Sequence, residues 1–163
     1  MLKADGVSVG KIFRRRAFRR TVATAAVIGA FGILAFRHTP RPGCVNVGGR
    51  NELAIRLNTL LPGAARFFCY QDDAGRKLRF ILARSRDGKV LAAFDACRRC
   101  YAAHEGYMAK DGQLVCRRCG NAYKIGQMAK GKASCVPVHL KIKQHAEQAV
   151  IKVSDLEAKR GLF

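Results

Sequence analysis

Several motifs that mark common enzyme classes are absent from this sequence of 163 residues. It has no glycine-rich nucleotide-binding loop, and its short β-rich runs follow one another without the helices of a βαβ pattern. It also has no Ser/His/Asp constellation and no pair of carboxylates suited to acid–base catalysis. These absences argue against a nucleotide-dependent enzyme or a hydrolase.

Acidic residues are also scarce. The chain has 11 Asp and Glu against 31 Lys and Arg, which gives a formal net charge of +20. Residues 1–20 contain seven basic residues and one acidic residue, so a net charge of +14 remains in residues 21–163. Such an excess suits an anionic partner, whether a nucleic acid, a membrane surface or an acidic protein.

The uncharged stretch near the N-terminus is short for a membrane span. Residues 21–36 contain no charge, whereas about 20 residues are needed to cross a bilayer. Arginines at both ends, at positions 19, 20 and 37, can extend the span by reaching the interface. The basic side is expected in the cytoplasm. We predict an uncleaved anchor; the alternatives are a cleaved signal peptide and a twin-arginine signal at Arg15 and Arg16.

Two cysteine pairs are the strongest chemical signal in the chain. Cys97 and Cys100, followed by Cys116 and Cys119, form the pattern C-x2-C-x15-C-x2-C. Each C-x2-C places two thiolates on one tight turn, and four thiolates suit zinc, iron–sulfur or cuprous copper. We predict that these four side chains hold one metal centre. A framework of structural disulfides is the alternative.

The three remaining cysteines are less clearly assigned. Cys135 follows Cys119 after another fifteen residues and could be a ligand, a bridging or pairing thiol, or a small buried residue. We include it among the cofactor-binding residues. Cys44 lies in a linker, where its thiol could be acylated, oxidised or silent, and we expect it to be silent. Cys69 is expected to be a small core residue of a strand.

Pairs of arginines occupy the middle of both cysteine turns. They are Arg98, Arg99, Arg117 and Arg118. Their positive charge should offset the negative charge of the thiolates and could attract an acidic redox partner. A merely basic surface is the alternative.

Glycine-bearing turns between short β-rich runs predict a β meander. The predicted strands lie at residues 51–57, 65–71, 78–84, 89–95, 113–115, 123–125, 138–143 and 149–153, with a short helix as the alternative at 51–57. The length suits one domain with its own core. We divide the chain into a basic cytoplasmic N-terminus (1–20), a membrane anchor (21–37), a linker (38–50), a β-rich metal-binding domain (51–153) and a polar tail (154–163).

Four short motifs carry a resemblance to a known family. They are FDACRRCY at residues 94–101, GY at 106–107, VCRRCG at 115–120 and CVP at 135–137. In this order they resemble the FtrD-like membrane iron–sulfur proteins of bacteria. The resemblance implies a membrane-anchored, periplasm-facing metal protein associated with iron uptake.

A more distant similarity is to Rieske domains, in which two hairpin loops each hold two ligands. Glycine and an aromatic residue follow the second loop there, as Gly120 and Tyr123 do here. The similarity implies a mainly β, small Rieske-like or β-sandwich domain with two Cys-pair loops, preceded here by one transmembrane helix. Rieske sites use two histidines, so an all-cysteine shell should give a lower reduction potential.

We therefore predict a single-pass protein of the bacterial inner membrane whose C-terminal domain lies in the periplasm and transfers electrons or metal. The cofactor is expected to be an iron–sulfur cluster or a single iron, zinc or copper ion. The expected partners are the inner membrane and a membrane permease or redox protein, without nucleic acid. We expect a non-enzymatic role. The alternatives are a structural zinc-ribbon-like interaction protein and a thiol–disulfide redox protein.

Overall fold

The computed structural model describes residues 43–128 and 135–163. The predicted basic N-terminus and membrane anchor, residues 1–37, lie outside the described residues. Within the described part, no helix is both long and apolar enough to cross a membrane.

The described chain is mainly β, as predicted. The strands are β1 (Val45–Val47), β2 (Glu52–Arg56), β3 (Ala65–Gln71), β4 (Lys77–Arg84), β5 (Val90–Cys97), β6 (Tyr107–Lys110), β7 (Gln113–Cys116), β8 (Ala122–Lys124), β9 (Pro137–His139), β10 (Lys143–His145) and β11 (Gln148–Lys152). The helix α1 spans Val153–Glu157, and short 3-10 helices span Tyr101–Ala103, Ile125–Gln127 and Arg160–Leu162.

The described strands form three sheets. A five-stranded sheet has the order β1-β3-β4-β5-β9, and two three-stranded sheets have the orders β10-β11-β2 and β6-β7-β8. Only β1 and β3, among these described neighbours, run parallel. Gly75 and Gly88 adopt positive φ in the turns that join β3 to β4 and β4 to β5, as a tight hairpin requires.

Both faces of the five-stranded sheet are buried, and the alternation of side chains separates two cores. Phe80 and Phe94 face each other across β4 and β5 and belong to the larger core, which also includes residues of β2, β11 and α1. Ile81 and Ala93 face the opposite side, together with Cys97, and pack with residues of β6 and β7. The period of two along β5 therefore directs Cys97 away from the larger core and toward the three-stranded sheet β6-β7-β8.

Part of the predicted linker is ordered into the sheet. β1 lies within residues 38–50 and pairs with β3, with Asn46 opposite Cys69. The β-rich unit therefore begins before residue 51. This pairing is between segments distant in sequence, and three residues are too few to show a strand pattern by themselves.

The predicted polar tail also contributes to the core. α1 buries Val153 and Leu156, three residues apart on one helix face, and Leu162 and Phe163 pack against the larger core. The ring of Phe163 lies 6.3 Å from that of Phe94. The apolar residues of this tail therefore pack against the core. The expected single strand at residues 138–143 is divided between β9 and β10.

Candidate metal centre

Each cysteine pair begins where a strand ends. Cys97 is the last residue of β5, and Cys116 is the last residue of β7. After Cys116 the chain makes a tight turn in which the N–H of Gly120 donates to the carbonyl of Cys116 at 2.9 Å. Gly120 has a φ of 73° there, in the left-handed region that favours glycine. The chain therefore turns back directly after the second pair.

Five free thiols converge on these two turns. The sulfurs of Cys97, Cys100 and Cys135 lie within 4.8 Å of one another, and so do those of Cys100, Cys116 and Cys119. Cys100 belongs to both groups, and its sulfur is 3.8 Å from that of Cys135. Sulfur ligands that lie about 2.3 Å from a metal in a tetrahedral site are separated from one another by a distance close to that between the sulfurs of Cys100 and Cys135. The structure thus brings together all five predicted cofactor-binding residues, here called the cysteine cage.

The cage is closed on one side and open on the other. Cys97, Cys116 and Cys135 are buried, Cys100 is half-buried, and Cys119 is exposed. Burial raises the pKa of Cys116 to about 11. Burial acts in the same direction on Cys119, but hydrogen bonds from the Asn121 backbone and from neighbouring thiols outweigh it and lower the pKa to about 7. The thiol at the open side is therefore the more readily ionised of the two, and metals bind the thiolate form.

A buried carboxylate supports the first cysteine turn. Asp95, two residues before Cys97 on β5, accepts the backbone N–H of Tyr107 at 2.7 Å and the Nε–H of Arg79 at 3.0 Å. Gly106 has a positive φ, and a methyl group there would collide with this carboxylate. These contacts hold the start of β6 against the end of β5. The FDAC and GY motifs are thus one structural unit. Sequence reasoning missed Arg79, for which the available signal is a charged residue between the apolar Leu78 and Phe80 in the interior of β4.

Tyr107 connects this unit to Cys135. Its side chain is fully buried, and its hydroxyl donates to the backbone carbonyl of Cys135 at 3.0 Å. The backbone N–H of Arg98 also donates to the carbonyl of Val136 at 3.1 Å. The segment that carries Cys135 is therefore attached to the first cysteine turn from two sides.

The arginines of the two turns are mostly solvent-exposed. Arg98, Arg99 and Arg118 are exposed and Arg117 is half-buried, with its Nε 3.3 Å from the carbonyl of Tyr107. Arg118 also forms an exposed ion pair with Glu105 at 3.5 Å. Three exposed arginines therefore lie on the two turns that carry the cysteine pairs.

The comparison with known families agrees with this site. Residues 60–163 match the family described as membrane iron-sulfur containing protein FtrD-like. The chain belongs to the FtrD-like family. The matched region includes the whole cysteine cage together with Arg79 and Asp95. No curated protein matches this FtrD-like chain.

The donor set of this FtrD-like protein suits the iron–sulfur group that the family description names. Thiolate sulfur is the usual protein ligand of such clusters. The cage has five free cysteines, and because this number is odd, disulfides within the cage could not pair all of them. The hydroxyl oxygen of Tyr123 is buried beside these thiols, and the Asn121 side chain is its polar neighbour. A sulfur-rich group in the cage would present acceptors to this donor.

The other two cysteines form a disulfide in this FtrD-like protein. Cys44 is bonded to Cys69, with 5.6 Å between their Cα atoms. The interpretation of Cys44 as a silent thiol is wrong. Cys69 is buried as predicted, and it also forms this disulfide. The reason is the β1–β3 pairing, which brings Cys44 beside Cys69. An Nη of Arg79 lies 3.4 Å from the sulfur of Cys44 and 3.8 Å from that of Cys69.

Proposed function

We propose that this FtrD-like protein is a membrane-anchored, periplasm-facing electron-transfer protein whose cysteine cage holds an iron–sulfur cluster. The observation that carries the proposal is the convergence of five free thiols at the ends of two strands. When bound, the cluster supplies one-electron redox chemistry. The chain's own residues hold the centre, limit its exposure to water and leave one side open to a partner.

The exposure of the cage supports electron transfer over a purely structural role. A structural centre needs no access, whereas an electron carrier needs its centre near the surface. Cys119 is exposed while Cys97 and Cys116 are buried, so the cage reaches the surface at one corner. Exposed Arg98 and Arg99 lie on the adjoining turn. This charge favours an acidic redox partner, which electrostatic attraction would steer toward the open side.

The disulfide supports an oxidising compartment. Disulfides persist in the periplasm and other oxidising environments and are rare in the cytosol. In such a compartment, thiols as close as those of Cys100 and Cys135, 3.8 Å apart, would be prone to oxidation if they were left unligated. The combination of one disulfide with five unpaired cysteines therefore favours a ligated cage on the exported side of a membrane.

The remaining parts of the proposal are the anchor, the partner and the finer fold relationship. Residues 21–37 are proposed to anchor the protein in the inner membrane, and a permease or redox protein of iron uptake is the proposed partner. The alternative within this role is that the protein transfers metal rather than electrons. The layout of the site supports a Rieske-like relationship, because the second cysteine turn is followed by Gly120 and Tyr123.

The test is anaerobic purification of the full chain from membranes, followed by visible absorption, EPR, and analysis of iron and acid-labile sulfide. We expect a brown protein that contains both iron and sulfide and gives an EPR signal in one redox state. The matched controls are Cys116→Ser, which should lose the colour, and the double variant Cys44→Ser/Cys69→Ser, which should keep it. A colourless protein with stoichiometric zinc would overturn the proposal and favour the zinc-ribbon-like alternative.

A further inference from the structure

The Cys44–Cys69 disulfide lies on the same side of the five-stranded sheet as the cysteine cage. Cys69 is opposite Arg79 in the register of β3 and β4. Arg79 precedes Ile81 by two residues, and Ile81 belongs to the core cluster that contains Cys97. Because alternate residues of a strand share a face, Cys69 and Arg79 also lie on this side. The disulfide is therefore a second sulfur-containing group on the face of the sheet that carries the candidate metal centre.

The two sulfurs of this disulfide have different surroundings. Cys69 is 2% exposed and lies in the interior of β3, which is paired with β1 on one side and with β4 on the other. Cys44 is half-buried and directly precedes β1, a strand of three residues at the edge of the sheet. Segments held by few contacts open at a low cost in free energy. An incoming thiol can therefore reach the sulfur of Cys44, and Cys44 can move away while Cys69 stays in its strand.

Arg79 brings positive charge to both sulfurs. One Nη of its guanidinium lies 3.4 Å from the sulfur of Cys44 and 3.8 Å from that of Cys69. The Nε–H of the same group donates to Asp95 at 3.0 Å, which fixes the guanidinium beside the disulfide. A neutral disulfide gains little from a nearby cation, whereas a thiolate is stabilised by one. The charge of Arg79 therefore favours the reduced form of this pair.

We propose that Cys44–Cys69 is a redox-active disulfide that is reduced by a partner protein carrying a dithiol. A thiolate of the partner attacks the sulfur of Cys44, the S–S bond breaks, and Cys69 leaves with the electron pair as a thiolate beside Arg79. The partner's second thiolate then attacks the partner sulfur of the mixed disulfide and releases Cys44. The partner is oxidised to a disulfide, its two electrons remain on Cys44 and Cys69, and its two protons pass to these sulfurs or to solvent. This two-electron chemistry does not depend on the metal centre.

The experiment measures reduction of this disulfide in the full chain, equilibrated with mixtures of reduced and oxidised dithiothreitol as the dithiol probe. Alkylation of free thiols and peptide mass spectrometry report Cys44 and Cys69 separately from the cage. We expect reversible reduction of the folded protein. In Arg79→Gln the equilibrium constant for reduction should fall by about tenfold, which corresponds to a potential about 30 mV lower. A purely structural role predicts a rise instead, because loss of the contact with Asp95 would loosen the fold and ease reduction.

The matched control is Arg76→Gln, which removes an exposed arginine from the turn between β3 and β4 and should leave the constant unchanged. A second comparison covers the case in which Arg79→Gln fails to fold because it leaves Asp95 as an unpaired buried charge. The double variant Arg79→Gln/Asp95→Asn removes both charges, whereas Asp95→Asn alone keeps that of Arg79. The constant should be lower in the double variant than in Asp95→Asn. Equal constants, or a higher one in the double variant, would overturn the inference.

The monothiol glutathione tests which sulfur is attacked. After acid quenching, we expect the glutathione adduct on Cys44 and a free thiol at Cys69. An adduct mainly on Cys69 would contradict the proposed mechanism. Reduction that occurs only when the chain unfolds, as followed by circular dichroism, would show that the disulfide is purely structural. Because none of these measurements uses iron or sulfide content, their failure leaves the proposed function of the cage intact.

Discussion

The hydroxyl of Tyr107 donates a hydrogen bond to the backbone carbonyl of Cys135 at 3.0 Å. The backbone N–H of the same tyrosine is held by Asp95 at 2.7 Å. One residue therefore joins the end of β5, the start of β6 and the segment that carries the fifth thiol. This relationship explains how Cys135 reaches the cage from a distant part of the chain.

The first prediction concerns the paired cysteines. Replacing Cys97, Cys100, Cys116 or Cys119 by Ser removes a thiolate, and we expect metal affinity to fall by at least about 100-fold. Residues 95–125 should also become less protected, because metal binding and folding of the two turns are linked. Metal analysis and hydrogen exchange measure the two effects. Full metal content in both Cys97→Ser and Cys119→Ser would rule out the cage.

The second prediction separates two roles for Cys135. If its thiol is a ligand, Cys135→Ser should lose metal as severely as the paired cysteines do. Its sulfur, 3.8 Å from that of Cys100, favours this outcome. Metal analysis of the purified variant decides the question. Retained metal with an altered redox potential would instead place Cys135 next to the ligands, where neighbouring groups change affinity by only about 10–100-fold.

The third prediction concerns the buried carboxylate beside the cage. Asp95→Asn should destabilise the fold by about 3 kcal/mol, because it leaves the charge of Arg79 without its buried counterpart. Chemical denaturation measures this loss. The matched control is Arg118→Gln, which breaks an exposed ion pair with Glu105 and should cost less than about 1 kcal/mol. Equal, small losses in both variants would show that the Asp95 contacts do not support the first turn.

The fourth prediction concerns the disulfide. Removing it in Cys44→Ser/Cys69→Ser should lower the free energy of unfolding by roughly 2–4 kcal/mol, because the unfolded chain is no longer constrained. Metal content should stay at the wild-type level, since neither sulfur belongs to the cage. Thermal unfolding and metal analysis on the same sample provide both numbers. A loss of metal would mean that β1 is needed to form the site.

The fifth prediction concerns topology. The basic residues 1–20 before an apolar run favour a cytoplasmic N-terminus and an exported C-terminal domain. A reporter that is active only outside the cytoplasm should be active when fused after Phe163. A reporter that is active only inside the cytoplasm should be silent at the same position. The reverse result would contradict both the topology and the proposed compartment.

Several features could be predicted from the sequence because they depend on local order. The strand at Ala65–Gln71 was predicted with its observed bounds, and the hairpin turns at Gly75 and Gly88 follow from turn chemistry. The convergence of the two C-x2-C pairs follows from their spacing. These are relations between neighbours in the chain, and the periods of secondary structure express them directly.

Other features were decided only by the tertiary structure. The Cys44–Cys69 disulfide depends on a parallel pairing of β1 with β3, and the Arg79–Asp95 ion pair depends on the register of β4 and β5. The place of Cys135 depends on Tyr107, and that of Phe163 on the core beneath it. The sequence determined which residues could bind metal, and its local periods determined most of the strands. The register and packing of segments distant along the chain determined which side chains meet, because many residues have compatible chemistry but only those on facing positions come into contact.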